Sequence, residues 1–350
     1  MDPERHALEL IDRVRSKAPR FKDDRITMAH GAGGKASRAL VEGLLAPALG
    51  VHDLDDAAAV GELALTTDSF VVRPLRFPGG SIGELAVNGT VNDLAVAGAR
   101  PLAVTVSLVL EEGLRADELR AQVESMAAAA EAAGVEIVAG DTKVVERGRC
   151  DGIYVTTTGL GRLDPRAQLS PASLEPGDRI LVSGSIGDHG TAVMLARGEF
   201  ELEAPVESDT RSLWPAVDAL LDTAGPSLRA MRDATRGGVA TVLNELARSS
   251  GVAILVQEAR IPVKPEVAGA CEILGIDPMY VANEGKLVAF VAPGAAEAAL
   301  AALRCAPGCE DANEIGEVQA EPAGLVLVET GFGGRRVMDM LVGDPLPRIC

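Results

Sequence analysis

No stretch of the 350 residues reaches about 18 consecutive apolar residues without charge, so the sequence offers no membrane-spanning helix. Its opening, Met1-Asp2-Pro3-Glu4-Arg5-His6, lacks an apolar core, which argues against a secretory leader and for a cytoplasmic protein. Basic residues are scarce, 33 Lys and Arg against 51 Asp and Glu, and the formal charge is −18. A polyanion needs a basic stripe, so nucleic acid and anionic membranes are excluded as partners. The five cysteines (Cys150, Cys271, Cys305, Cys309, Cys350) leave at least one thiol unpaired. Cys305 and Cys309 stand close, but no second Cys/His pair completes a zinc site. Short-period repeats are absent as well.

What remains is an ordinary globular composition, long enough for two domains with their own cores. An amphipathic helix is expected up to about Phe21, followed by the glycine-rich His30-Gly31-Ala32-Gly33-Gly34-Lys35. Strands are expected at Ala64–Val72, Val104–Leu110, Val135–Ala139 and Ile153–Leu160. Helices are expected at Ser81–Ala97 and Asp117–Ala133, the latter closed by Gly134. Composition shifts at Leu163-Asp164-Pro165-Arg166, where a second α/β unit begins with Pro176-Gly177-Asp178. Its expected strands are Arg179–Ser183, Ala253–Gln257, Leu287–Val291 and Leu325–Glu329, with helices from about Gly190, Val217–Leu221, Gly238–Ser249 and Ala295–Leu303. The reading is α/β (α+β): residues 1–163 as one domain, 164–335 as another, and 336–350 as a short helix near Val337–Leu341 with a flexible tail.

Four Asp residues of the first domain sit where apolar segments meet polar breaks: Asp56 in Asp55-Asp56-Ala57-Ala58, Asp68 in Thr67-Asp68-Ser69, Asp93 in Asn92-Asp93-Leu94 and Asp141 in Gly140-Asp141-Thr142. Carboxylates converging from separate elements are what Mg²⁺ requires when it also holds phosphate oxygens. Each Asp alone is equally a cap or turn residue. Glu84, Asn88 and Asn92 share one face of the Ser81–Ala97 helix, and packing explains them as well as ligand contact does. The loop through Gly33, Gly34 and Lys35 can wrap phosphates with backbone N–H groups, although it lacks the strand and Gly-Lys-Ser/Thr ending of a P-loop. Asp233-Ala234-Thr235-Arg236-Gly237-Gly238 precedes a helix whose N-terminus suits an anion, and capping is the alternative for Asp233 and Thr235. Lys143 and Glu284 are candidate bases if buried and ordinary surface charges if not.

The chain ends on Pro347-Arg348-Ile349-Cys350. Prolines at 345 and 347 favour extended backbone, and eight residues from Gly343 reach about 25 Å at roughly 3.3 Å each. Such a tail carries a group on sulfur into a distant pocket, or else is a frayed end with an incidental thiol.

In their order along the chain, Asp55-Asp56-Ala57-Ala58, Val91-Asn92-Asp93-Leu94, Ala139-Gly140-Asp141-Thr142-Lys143 and Asp233-Ala234-Thr235-Arg236-Gly237-Gly238 resemble the ATP-binding superfamily of aminoimidazole ribonucleotide synthetase and selenophosphate synthetase. The terminal Pro-Arg-Ile-Cys and the early His30-Gly31-Ala32-Gly33-Gly34 resemble its hydrogenase-maturation HypE family. The resemblance implies two α/β domains, with the N-terminal ones pairing across a β-barrel in a homodimer. It also implies an activity: Cys350, loaded as a thiocarboxamide by the carbamoyltransferase HypF, is dehydrated with ATP to a thiocyanate. The cyano group then passes to iron on a HypC-HypD complex, for the [NiFe]-hydrogenase centre. By this resemblance Asp56, Asp68, Asp93 and Asp141 hold Mg²⁺, while Asn92, Thr142, Gly33, Gly34, Lys35, Asp233 and Thr235 bind ATP. Lys143 and Glu284 act as bases.

A selenophosphate synthetase would carry a reactive Cys near the glycine-rich loop, whereas the first cysteine here is Cys150. Aminoimidazole ribonucleotide synthetase needs no terminal cysteine. A non-catalytic nucleotide-gated carrier of the modified tail is the alternative of a different class, and it has no use for bases.

Overall fold

The computed structural model describes residues 20–51, 54–198, 204–343 and 348–350. Most of the expected N-terminal helix, and both Pro345 and Pro347, lie outside them.

The first unit is a five-stranded sheet in the order β1-β2-β7-β5-β6. Its strands are β1 (Ala58–Val60), β2 (Leu63–Phe70), β5 (Ala99–Glu111), β6 (Glu136–Val145) and β7 (Ile153–Leu163). A two-stranded ribbon, β3 (Arg76–Phe77) with β4 (Gly80–Ser81), leads into the central helix. Short helices α1 (Lys35–Leu40) and α2 (Ala46–Leu49) precede the sheet. Helices α3 (Ile82–Val96) and α4 (Ala116–Ala133) follow the ribbon and β5 respectively.

Helix α3 starts after Ser81, whose backbone is extended and whose N–H is accepted by Glu84, the reach-back half of a capping box. Leu85, Val91 and Leu94 are wholly buried along it, each stabilising the fold by about 1.5–3 kcal/mol relative to an exposed side chain. Its burial on all sides fixes Asn92 and Asp93 deep between the two units. Helix α4 ends on Gly134 at φ +68°, as its sequence predicts.

Strand β6 runs parallel to β5 at the sheet edge, and its residues are exposed along almost their whole length. It extends well past the expected Val135–Ala139, carrying Asp141, Thr142 and Lys143 within the strand rather than at its end.

The second unit is a seven-stranded sheet, β14-β13-β10-β12-β8-β11-β9. These are β8 (Arg179–Val182), β9 (Leu228–Asp233), β10 (Ala253–Gln257), β11 (Leu287–Val291), β12 (Asn313–Gln319), β13 (Val326–Glu329) and β14 (Arg335–Met338). Helices α5 (Asp188–Ala196), α6 (Trp214–Ala224), α7 (Gly238–Ser250), α8 (Pro265–Leu274) and α9 (Ala296–Cys305) accompany it. The expected short helix near Val337–Leu341 is instead strand β14. Pairing with β13 buries Met338 and satisfies backbone groups that an isolated turn of helix would leave to water.

Ala95 and Val96 of α3 share one apolar core with Leu213, Leu220 and Met231 of the second unit. Among the described residues no helix is long and apolar enough to cross a membrane.

Candidate active site

Asp93 sits on α3, and Thr66 of β2 donates its hydroxyl to the Asp93 carboxylate at 2.8 Å. Asp68 lies two residues further along β2, and Asp233 is the last residue of β9, paired in register with Leu287. Asp56 completes the group just before β1. Asp93 and Asp233 feel the charges of the others. Asp93 is driven well above its ordinary value by burial first and then by Asp233, Asp56 and Asp68. Burial, then Asp56, pushes Asp233 up to about 8. Burial also raises Asp56 and Asp68. Asp56 is ion-paired with Arg232, which also holds Asp55 at 2.8 Å.

Glu284 is buried beside this group, raised well above its usual value by burial and by Asp233 and Asp68. Its Oε1 accepts no hydrogen bond among the described residues. Its backbone is fixed on both sides: the Glu284 N–H donates to Asp209 at 3.0 Å, and its carbonyl accepts from Asn92 at 3.0 Å. A carboxylate so placed, once ionised, is a stronger base than one in water.

Asn92 spends its amide on structure. It donates to the carbonyls of Arg211 (2.9 Å) and Glu284 and accepts the Leu213 N–H at 2.7 Å, tying α3 to two segments of the second unit. The expectation that Asn92 touches nucleotide finds its side chain already engaged and 1% exposed.

The glycine-rich loop lies against the start of α7. A Cβ on Gly33, at φ +75°, would meet the Arg236 carbonyl oxygen at 2.6 Å, and one on Gly34 would meet that of Leu341 at 2.3 Å. Lys35 donates its backbone N–H to Leu341 at 2.9 Å, and its ammonium pairs with Asp339 at 2.7 Å. Thr235 accepts the Gly238 N–H through its carbonyl, opening α7, and the buried Thr241 hydroxyl there has no hydrogen-bond partner among the described residues.

Asp141 and Lys143 are not brought to this group. They pair with each other at 2.7 Å on the exposed edge strand β6, and that contact holds the Asp141 carboxyl below its ordinary value. Thr142 lies between them, also exposed. The parallel register with β5 sets all three on an uncovered strand.

Residues 348–350 are docked against the first unit. Cys350 lines a cavity with Gly31, Ala32, Ser69, Arg236 and Gly237. The Val71 N–H donates to the Cys350 carbonyl at 3.1 Å, and Ile349 is buried in the same core as Phe70 and Val72. Arg236 faces both Cys350 and the acidic group: its charge is favoured by Cys350 first and also by Asp68, Glu284 and Asp93. The Arg236 guanidinium stands 4.0 Å from Asp68.

Sequence reasoning passes over Arg236, Asp209 and His189. Arg236 stands inside a motif read for its glycines, its helix N-terminus, Asp233 and Thr235, with no role given to the arginine. His189, between Asp188 and Gly190 at the start of α5, is one of only four histidines in the chain, and that rarity is the available signal.

Comparison with known proteins defines the class first. The N-terminal domain of AIR synthase related proteins matches residues 54–163, and the C-terminal domain of the same proteins matches 175–328. Within that class, the chain is 49% identical over 339 residues to the carbamoyl dehydratase HypE of Rhodobacter capsulatus, covering 94% of this chain and 99% of that protein. A crystal structure of a HypE-HypF complex superposes with TM-score 0.83 at 46% identity, covering 87% of this chain and all of that one. A structure of HypE in complex with ATP gives 0.80 at 44% identity, over 93% of this chain and 100% of that one. The chain belongs to the HypE family.

Proposed function

We propose that this protein dehydrates a carbamoyl group carried on the Cys350 sulfur, using ATP, and so supplies the cyanide ligands of the [NiFe]-hydrogenase iron centre. The observation that carries the reading is the docked tail: Cys350 shares a cavity with Arg236, which faces Glu284 and the Asp cluster. The family's ATP complex and its HypE-HypF complex support ATP as co-substrate and HypF as the partner that loads the sulfur.

The reaction balances as thiocarboxamide plus ATP giving thiocyanate, ADP and phosphate. The amide oxygen attacks the γ-phosphorus and ADP departs. The carbon–oxygen bond then breaks, phosphate takes the oxygen away, and the two N–H protons pass to bases as the nitrile forms. An amide oxygen leaves poorly, so its phosphorylation is the step that makes dehydration possible.

The donor set fits Mg²⁺ and the phosphates it would bridge. Asp56, Asp68 and Asp233 together raise Asp93, Glu284 Oε1 and Thr241 Oγ1 lack hydrogen-bond partners among the described residues, and α7 presents its N-terminus. Among the described residues no three such side chains are grouped closely enough to hold an ion by themselves, so metal binding here would also need phosphate oxygens. Asp56, Asp68, Asp93 and Asp233 would hold Mg²⁺, which supplies charge neutralisation at the transferred phosphoryl group. Gly33, Gly34 and Thr235 border the phosphate side, and Lys35 would reach it on leaving Asp339. Glu284 takes one amide proton, and Arg236 steadies the charge on the carbamoyl oxygen.

Asp141, Thr142 and Lys143 enter through a second copy. Strand β6 is an uncovered edge, and Val60, Leu63, Leu65, Ile137, Val138 and Val144 expose apolar surface on the same sheet. A homodimer pairing these sheets into a barrel covers them and moves Lys143 out of water, as a lysine base requires. Delivery to a HypC-HypD complex in the cytoplasm completes the role.

Mass spectrometry of the carbamoylated protein tests this. Mg-ATP should remove one water from the C-terminal peptide. ATP turnover unaffected by Cys350→Ala would sink the reading.

A further inference from the structure

The tail is held mainly through its backbone. His189 is wholly buried and its Nε2 lies 3.0 Å from the Ile349 carbonyl oxygen. A carbonyl only accepts, so Nε2 carries the proton, and Nδ1 accepts from the Ser208 hydroxyl at 2.8 Å. Ser208 is itself fixed, its N–H donating to Pro78 at 2.8 Å, and the Phe77 ring meets the imidazole edge-on at 5.3 Å. One residue back, Arg197 donates to the Arg348 carbonyl at 2.6 Å and to the Arg73 carbonyl at 2.9 Å. The Arg73 N–H donates to the same Arg348 carbonyl at 3.3 Å. Arg348 adopts φ +58°, a left-handed conformation that costs a non-glycine residue on the order of 1 kcal/mol and persists only when its surroundings impose it. Its guanidinium is ion-paired with Asp151.

We propose that His189 and Arg197 are positioning residues that clamp the Arg348 and Ile349 carbonyls and thereby fix the depth at which the Cys350 sulfur enters the cavity. Consecutive carbonyls held from α5 and from Arg197, the residue that ends it, leave the terminal residue only its side-chain rotation. The group on sulfur is then presented at one height above Arg236. Ile349, only 3% exposed, sets the register, because slipping by one residue would put Arg348 into the apolar core. The part concerning catalysis rests on the carbamoyl-carrier reading of Cys350; the part concerning the clamp does not.

The test uses the full-length protein and two readouts. The first is alkylation of the free Cys350 thiol, followed on the C-terminal peptide by mass spectrometry, with exposed Cys305 as internal reference. His189→Ala should raise Cys350 labelling about tenfold over Cys305, the consequence of leaving a buried carbonyl without its donor. His189→Gln, whose amide can still donate, should restore much of the protection. Arg197→Ala, on a half-buried residue, gives the same readout if His189→Ala does not fold. The second readout is Mg-ATP-dependent water loss from the carbamoylated protein, which should slow in His189→Ala and recover in His189→Gln. Labelling unchanged in both alanine variants overturns the clamp. Increased labelling with undiminished water loss overturns the positioning role, while absence of water loss in the wild type overturns the carrier reading alone.

Discussion

The side-chain amide of Asn92 donates to the backbone carbonyl of Glu284 across 3.0 Å, joining the central helix of the first unit to the segment that carries the proposed base. Because Arg211 and Leu213 are bound to the same amide, Asn92→Ala strips three backbone groups of their partner at once. Stability should fall by about 3 kcal/mol, measurable by denaturant unfolding. Dehydration should fall with it, since Glu284 loses one of its two backbone anchors.

The acidic group gives the apo protein a pH signature. Asp233 is raised to about 8 in the folded state by burial and by Asp56, against 3.8 ordinarily. The folded protein therefore keeps a proton that the unfolded chain has released. That stabilisation is complete below about pH 4 and is lost as pH rises through about 8. Thermal unfolding without Mg²⁺ should show a falling Tm over this range, and Asp233→Asn should flatten it. Mg-ATP should restore stability most at the alkaline end, because metal ligands must be ionised.

Gly33 illustrates how close the loop lies to its neighbour. Gly33→Ala combines a left-handed backbone with a Cβ 2.6 Å from the Arg236 carbonyl oxygen. The loop should withdraw from the start of α7, weakening ATP binding by titration calorimetry at least tenfold while the Tm changes little, since α1 and its loop carry little of the core.

Lys143→Ala separates a surface role from a shared-site role. Within one chain the residue is exposed and, among the described residues, pairs with Asp141 across 2.7 Å, so its loss should leave each subunit's own fold intact by circular dichroism. Water loss from the carbamoylated tail should nevertheless stop, and sedimentation should report a dimer for both proteins. Unaltered dehydration would remove Lys143 from the chemistry.

Helices α3 and α4 are legible in the sequence because Ser81 with Glu84 and Gly134 mark their ends around apolar stretches. Strand β9 is not, because Arg229 and Arg232 interrupt it with charges that the fold pairs with Glu175, Asp55 and Asp56. Strand β14 reads as a helix locally, and only its pairing with β13 decides otherwise. The Asp positions of the site are visible as acids at element ends. What they face depends on tertiary packing, which separates half-buried Asp93 from exposed Asp141 in motifs that look alike. The docking of Cys350 is equally non-local: it is created by Val71, Arg197 and His189, far from the tail in sequence.

The central claim is that ATP activates the carbamoyl oxygen on Cys350 for departure. Carbamoylated protein bearing a heavy-oxygen label in that group, treated with Mg-ATP, tests it most directly. The label should appear in inorganic phosphate in equal amount to the thiocyanate formed. Label found in water, with phosphate unlabelled, would contradict it.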